Sequence, residues 1–317
     1  MTGPIITAST DLITSPEKTR AGFVSMALEK NLMAAPYIEE AKALKTFASK
    51  VRDPQSLTKC DSVQVGLLTA AGLSDKARNY LTEGDKAVAI QGLVDNFLVP
   101  AGNDFVDELV YRYLLVKGDA LGGQARNLAG TLGERKFLRA LISVFHLLGI
   151  PFQWKGKITP NWLGQSKDNH EIEKHIKVVS WTKNKKNRIL VLNSKVHQVE
   201  KNVDISIINA TVQEWNENNQ SLRRQNDKFL AFGELKGGID PAGADEHWKT
   251  ANSALGRIRV GFEKIQMKPH LFFIGAAIEK AMADEIFKLL CEKKIHNAAN
   301  LTNDDQLNLI CEWIINI

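Results

Sequence analysis

The stretch FLAFGELKGGID, residues 229–240, constrains this chain more than any other. Its first five residues are apolar or glycine, which is too apolar for a surface ribbon and predicts a strand entering a core. Glu234 and Lys236 follow two residues apart, so on a strand they face the same side while Leu235 turns toward the packed side. The glycines then end the strand, and Asp240 followed by Pro241 has the form of an N-cap and first helical position. Trp248, Ala251, Leu255 and Ile258 recur at helical spacing and predict a buried stripe. The expected unit is therefore strand, tight turn and returning helix. His247, in the second turn of that helix, is expected to come back toward the strand end.

A second carboxylate lies upstream in KNVDISIINA. Val203, Ile205 and Ile207 alternate with Asp204, Ser206 and Ile208, predicting a strand with Asp204 on the face away from the apolar set. Two adjacent strands would bring Asp204 and Glu234 to one cation. Phosphodiester hydrolysis asks for that arrangement, because paired carboxylates hold Mg²⁺, which polarises the phosphate and activates water. A neighbouring ammonium, Lys236, would lower the pKa of the attacking water and offset charge building on the phosphate. The pattern alone is common, and each residue has a plainer reading. Asp204 could pair with Lys201, Lys236 could merely neutralise Glu234, His247 could be a packed histidine, and Asp240 could be only a cap. Against the first stands the cost of an acid in so apolar a run without a strong partner.

The residues carry more than a local pattern. GELKGGIDPAGADEHWKTAN, with KNVD before it and FIGAAIE and CEWIINI after it, resembles the BsoBI/AvaI family of type II restriction endonucleases, within the PD-(D/E)xK nuclease superfamily. The likeness reaches the amino-terminal half through RAGFVSMALEKN, PYIEEAKALK, SDKARNYLTE, NFLVPAG and RYLLVKGDALGGQARNLAG, and so covers nearly the whole chain. The resemblance implies a homodimer encircling double-stranded DNA, recognition of CYCGRG, and cleavage after the first C to leave four-nucleotide 5′ overhangs. It also implies that Asp204, Glu234 and Lys236 are the catalytic and metal residues, with the Leu235 carbonyl as a further Mg²⁺ ligand and His247 as general base. Glu246, beside it, is a candidate support for the imidazole or for the water. Lys76 matches a family position near the base edges, where a lysine can donate to guanine O6 and N7, and Asp240 is placed to accept from cytosine N4. The connection EWNENNQSLRRQND between the catalytic strands is expected to be a variable loop.

The chain is expected to divide into a helical, DNA-embracing domain over residues 1–150 and a catalytic domain over 151–317. From Pro16 to Gly149 apolar residues recur at three and four spacing, and Ser74 and Asp75 open a short helix at SDKARNYL. After Pro151 come strand-like runs at FQWKG, VVSWT, RILVLN, VDISII, FLAFGEL and LFFIGAAI, with helices interspersed. This predicts an α/β (α+β) fold with a mixed sheet and a restriction-endonuclease-like core. In KGDALGGQARNLAG the glycines Gly118, Gly122 and Gly123 suggest a turn that lets backbone approach DNA, with Arg126 just beyond. A dinucleotide loop is excluded there, since neither the preceding strand nor the required spacing is present.

Net charge is +5, but residues 151–230 hold fourteen Lys/Arg against eight Asp/Glu, which concentrates the excess before the catalytic strand. Lys183, Lys185, Lys186 and Arg188 sit at an expected hairpin turn that either grips phosphates or is simply solvated. Cys60, Cys291 and Cys311 are too few and scattered for a disulfide framework or zinc site, and His170 and His175 in HEIEKH have the wrong spacing for a metal. No run approaches about 20 apolar residues and the start lacks a basic, then apolar pattern, so a cytoplasmic protein without membrane contact is expected. Two other readings compete: a structure- or lesion-specific nuclease, and a non-catalytic DNA-binding protein on a nuclease fold. Fragment patterns and Mg²⁺ dependence separate them.

Overall fold

The computed structural model describes residues 6–125, 127–156, 159, 161–165 and 171–317. Arg126 and His170 lie outside the described residues. Among those described, ten α-helices and eight strands follow the order expected from the patterning: helices first, then strands with helices between them.

The helical part comprises α1 (Pro16–Ala48), α2 (Gln64–Ala70), α3 (Asp75–Arg78), α4 (Glu83–Leu93), α5 (Phe105–Ala125) and α6 (Leu128–Leu147). Ser74 caps α3 by accepting from the Ala77 amide, as its sequence suggests. The glycine-bearing segment differs from expectation. Gly118, Gly122 and Gly123 lie inside α5, which runs unbroken to Ala125, so they form a helical surface and no turn. A glycine in a helix costs only about 1 kcal/mol against alanine, which the apolar pattern of Leu109, Tyr113 and their neighbours outweighs.

Two compact units emerge from the packing: residues 24–128, and residues 1–23 with 129–317. This division differs from the expected boundary at 150. Most of α6 belongs with the sheet because Phe145 stacks on Phe152 and packs against Trp181. The amino-terminal segment belongs there too, for Thr14 donates to the Ala276 carbonyl and accepts from the Ile278 amide, and Asn300 donates to the Leu12 carbonyl. These long-range bonds bury polar groups that would otherwise lack partners. The unit of residues 24–128 has its own core around Leu44, Leu57, Leu67, Leu93, Leu98, Phe105 and Leu109.

The second unit is built on β1 (Phe152–Gly156), β2 (Leu163–Gly164), β3 (Ile176–Lys183), β4 (Lys186–Val196), β5 (Lys201–Ile208), β6 (Phe229–Lys236), β7 (His270–Gly275) and β8 (Asn297–Asn300). They form one mixed sheet in the order β2-β1-β3-β4-β5-β6-β7-β8. Pairing is antiparallel up to β6 and parallel from β6 through β8. The parallel strands are linked by α8 (Ala244–Glu263) and α9 (Lys280–Cys291), and the chain ends in α10 (Asp304–Asn316). Helix α8 packs on one face, where Trp248 meets Phe273 and Phe262 meets Phe232. On the other face Trp313 of α10 meets Phe272, and Trp181 donates to the Ile315 carbonyl.

Covering both faces has two consequences for the expectations. Ser206 and Ile208 are as buried as Ile205 and Ile207, so β5 has no solvated face along that stretch. The segment EWNENNQSLRRQND is no loop but enters α7 (Val212–Leu222). A capping box of Thr211 with Glu214 starts that helix, and Trp215 and Leu222 anchor it to the core. At the β3–β4 hairpin, Asn184 and Lys185 both have positive φ, as a tight turn of primed type requires. Arg188 is buried and cannot reach out to a phosphate. Its guanidinium donates to Asn209 Oδ1 and to the Ile317 carbonyl, fastening the last residue to the sheet.

Candidate active site

The register of β5 and β6 decides what meets. Ile205 lies opposite Gly233 in antiparallel pairing, so Asp204 and Glu234 stand one rung further on, sharing a face. Beyond that rung the Asp204 side chain takes over from the backbone ladder. Its Oδ2 accepts from the Leu235 amide at 2.9 Å and from Lys236 Nζ at 2.9 Å. The same ammonium donates to Glu234 Oε2 at 2.8 Å. Three ionisable side chains predicted from two strands thus converge on one point at the carboxyl end of β6.

Burial gives this trio its electrostatic character. Glu234 is 4% exposed, in a position where solvent cannot offset its charge. Desolvation, reinforced by the Asp204 charge and only partly opposed by Lys236, pushes its carboxyl pKa up to about 7. Burial works against the Lys236 ammonium as well, but attraction from Glu234 and Asp204 wins and raises its pKa above the ordinary lysine value. Two carboxyl groups thus share one ammonium, and the half-buried Asp204 keeps the cluster open to solvent.

The donor set suits a hard divalent cation. Asp204 and Glu234 offer carboxylate oxygens within reach of a common point, and a carboxyl that resists ionising alone ionises readily against a dication. No group of three or more His, Cys, Asp or Glu side chains suited to a metal occurs among the described residues. Magnesium tolerates such a thin set, since it keeps waters and takes phosphate oxygens alongside one or two carboxylates.

The turn after β6 places the remaining candidates. Asp240 accepts from the Ala242 amide at 3.0 Å and caps the short 3₁₀ turn Pro241–Gly243 that leads into α8, as its sequence predicts. His247 is exposed on the second turn of α8, and its ring lies against Gly238 and Gly243. Glu246 is exposed beside it. Trp248, the next residue, donates from Nε1 to Glu285 Oε2 at 2.7 Å and so fixes the rotation of α8 against α9. Lys76 is exposed on α3, and Gly122 and Gly123 are exposed on α5, all within the unit of residues 24–128. Sequence reasoning missed the glycine contacts around this turn. Gly237 touches the first turn of α6, where a Cβ would fall 2.2 Å from the Ala129 carbonyl oxygen, and Gly22 of α1 touches Ile239. The glycine pair directly after the Glu-x-Lys strand is the one signal that could have pointed to them.

A mixed sheet covered by helices, with an Asp and a Glu-x-Lys pair meeting at a strand end, defines a restriction-endonuclease-like α/β fold. Comparison with known proteins narrows this. A family model for restriction endonuclease BsobI matches residues 4–317. The chain is 49% identical over 310 residues to the type II restriction enzyme BsoBI of Geobacillus stearothermophilus, covering 97% of this chain and 95% of that protein. It is 47% identical over 312 residues to the type II restriction enzyme AvaI of a Nostoc species, covering 98% of both, and to AvaI of Anabaena variabilis to the same extent. The chain belongs to this family of type II restriction endonucleases, which are site-specific deoxyribonucleases.

Proposed function

We propose that the protein cuts double-stranded DNA in a Mg²⁺-dependent reaction at CYCGRG, after the first C, leaving 5′ phosphates and four-nucleotide 5′ overhangs. The observation that carries the mechanism is the single ammonium of Lys236 held by Asp204 and buried Glu234. Asp204 and Glu234, with the Leu235 carbonyl, would hold Mg²⁺, which when bound supplies charge neutralisation at the scissile phosphate and lowers the pKa of water. Lys236 orients the attacking water and offsets charge accumulating on the phosphate. His247 takes up the water proton, a role its exposed ring, lying against the turn beyond β6, supports. Glu246 steadies that ring or the water. Asp240, Lys76, the α5 surface with Gly122 and Gly123, and Arg126 contact DNA in this reading.

A near-palindromic target suits a twofold homodimer, one active site for each strand. Val24, Leu28 and Leu32 support association: they recur every fourth residue on α1 and are 60%, 62% and 68% exposed. Cytoplasmic action on DNA fits the reading, and no helix among the described residues is long and apolar enough to cross a membrane.

The test is digestion of DNA of known sequence with Mg²⁺, mapping the ends, beside Glu234→Ala and Lys236→Ala. Discrete ends at CYCGRG that vanish with EDTA and in both variants are expected. Full cleavage by either variant removes the assignment, and nicking without discrete fragments favours a structure-specific nuclease.

A further inference from the structure

The turn joining β6 to α8 is packed more tightly than a surface turn needs to be. At Gly237 a Cβ would fall 2.2 Å from the Ala129 carbonyl oxygen and 3.0 Å from Gly133 Cα, so the backbone after Lys236 is pressed onto the first turns of α6. In the reverse direction a Cβ on Gly133 would meet Gly237 Cα at 2.7 Å. Ile239, buried two residues later, seats against Gly22 of α1, where a Cβ would meet its Cγ1 at 2.4 Å. The Lys236 carbonyl accepts from the Ala276 amide at 2.9 Å, tying the start of the turn to the end of β7. The turn therefore has little freedom to yield.

Between these fixed points lies Gly238, and what faces it is the imidazole of His247. A Cβ built there comes 3.0 Å from His247 Nε2 and 3.2 Å from Cδ2. Gly243, at the foot of α8, approaches the same edge, with 3.5 Å from its Cβ position to Nε2. Neither glycine has positive φ, so an L side chain is compatible with the backbone, and the space above them is the only thing their missing side chains provide. Among the described residues no group hydrogen-bonds the His247 ring, and it stands exposed on its helix. Contact with a glycine floor is thus what limits its rotamers. The helix bearing it cannot swing to compensate, because Trp248 is buried and bonded to Glu285.

We propose that Gly238 is a positioning residue for the cleavage reaction, its bare backbone forming the seat that holds the His247 imidazole against the turn leading out of the catalytic strand. This rests on His247 being the proton acceptor. A methyl group at Gly238 meets only the far end of a side chain that can rotate, so Gly238→Ala displaces the ring while the fold persists. Misplacing a general base by a fraction of an ångström to an ångström costs roughly ten- to a hundredfold in rate.

The experiment is a cycle of Gly238→Ala, His247→Ala and the double variant, with kcat and KM measured on a duplex carrying the target and pH–rate profiles for each. Gly256→Ala serves as control, since a Cβ there meets open space. Far-ultraviolet circular dichroism and melting temperature verify the fold. His247→Ala is expected to lower kcat about 10²–10⁴-fold. Gly238→Ala should lower kcat at least tenfold with KM unchanged and weaken the acid limb of the profile. The double variant should be no slower than His247→Ala, because a seat without its occupant does nothing. If His247→Ala cuts as fast as the parent, the proton-acceptor reading fails and the proposal falls with it. If His247→Ala is slow but Gly238→Ala retains the parent kcat and profile, the seat is refuted and the base stands. Losses that multiply in the double variant also refute it.

Discussion

Replacing Glu234 by Gln reads out the electrostatic cost stored in the site. Burial, with the Asp204 charge beside it, moves this carboxyl from 4.5 to about 7 despite Lys236. A carboxyl raised in the folded state contributes stability in full below its unfolded pKa, and that contribution is lost as pH rises through the folded value. At about 1.36 kcal/mol per unit, the whole shift corresponds to about 3 kcal/mol. Only a minor part of it has gone by pH 5, so about 2–3 kcal/mol disappears between pH 5 and pH 8. Glutamine imitates the protonated acid at every pH and escapes this loss. The assay is urea unfolding of parent and Glu234→Gln in EDTA at both pH values. The parent-to-variant difference isolates the Glu234 carboxyl together with its coupling to Asp204 and Lys236, and the variant should gain about 2–3 kcal/mol on the parent as pH rises. Adding Mg²⁺ at pH 8 should shrink that gain, since the cation binds the folded parent more tightly than the variant. A difference that is the same at pH 5 and pH 8 would refute the claim that ionising Glu234 strains the fold.

Other outcomes follow from the packing. Gly122→Ala should stabilise the protein by about 0.5–1 kcal/mol in thermal unfolding, because the position is helical with open space around it, whereas a turn would be destabilised. Gly133→Ala should cost about 1–3 kcal/mol by forcing α6 away from Gly237, read as a lower urea midpoint. Arg188→Ala should lower stability by about 2–3 kcal/mol through loss of its bonds to Asn209 and the terminal carbonyl, yet leave the salt dependence of DNA binding unchanged. Lys185→Ala and Lys186→Ala, both exposed, should instead each reduce the slope of log K against log salt by about 0.9 if that hairpin grips phosphates, with stability unaltered.

What the sequence determined by itself was periodic. A two-residue period in KNVD and GELK placed Asp204, Glu234 and Lys236 on strands, and a helical period after Asp240 put Trp248, Ala251, Leu255 and Ile258 in the core, where the structure has them. Local chemistry was legible too, in the caps at Ser74 and Asp240. Tertiary structure decided the rest, because it depends on contacts that no local pattern encodes. Strand β8 reads NAAN, poor strand formers made a strand by parallel pairing with β7 and complete burial. The segment 212–222 became a helix once Trp215 and Leu222 found the core, and Gly122 and Gly123 continue a helix whose earlier turns Phe105, Leu109 and Tyr113 anchor. Arg188, one of four basic residues at a turn, was drawn inside by Asn209 and the Ile317 carbonyl. The same holds at the site: spacing named the two acids and the lysine, but only the β5–β6 register set both carboxylates on one ammonium, and only close approach of backbones explains the glycines that follow.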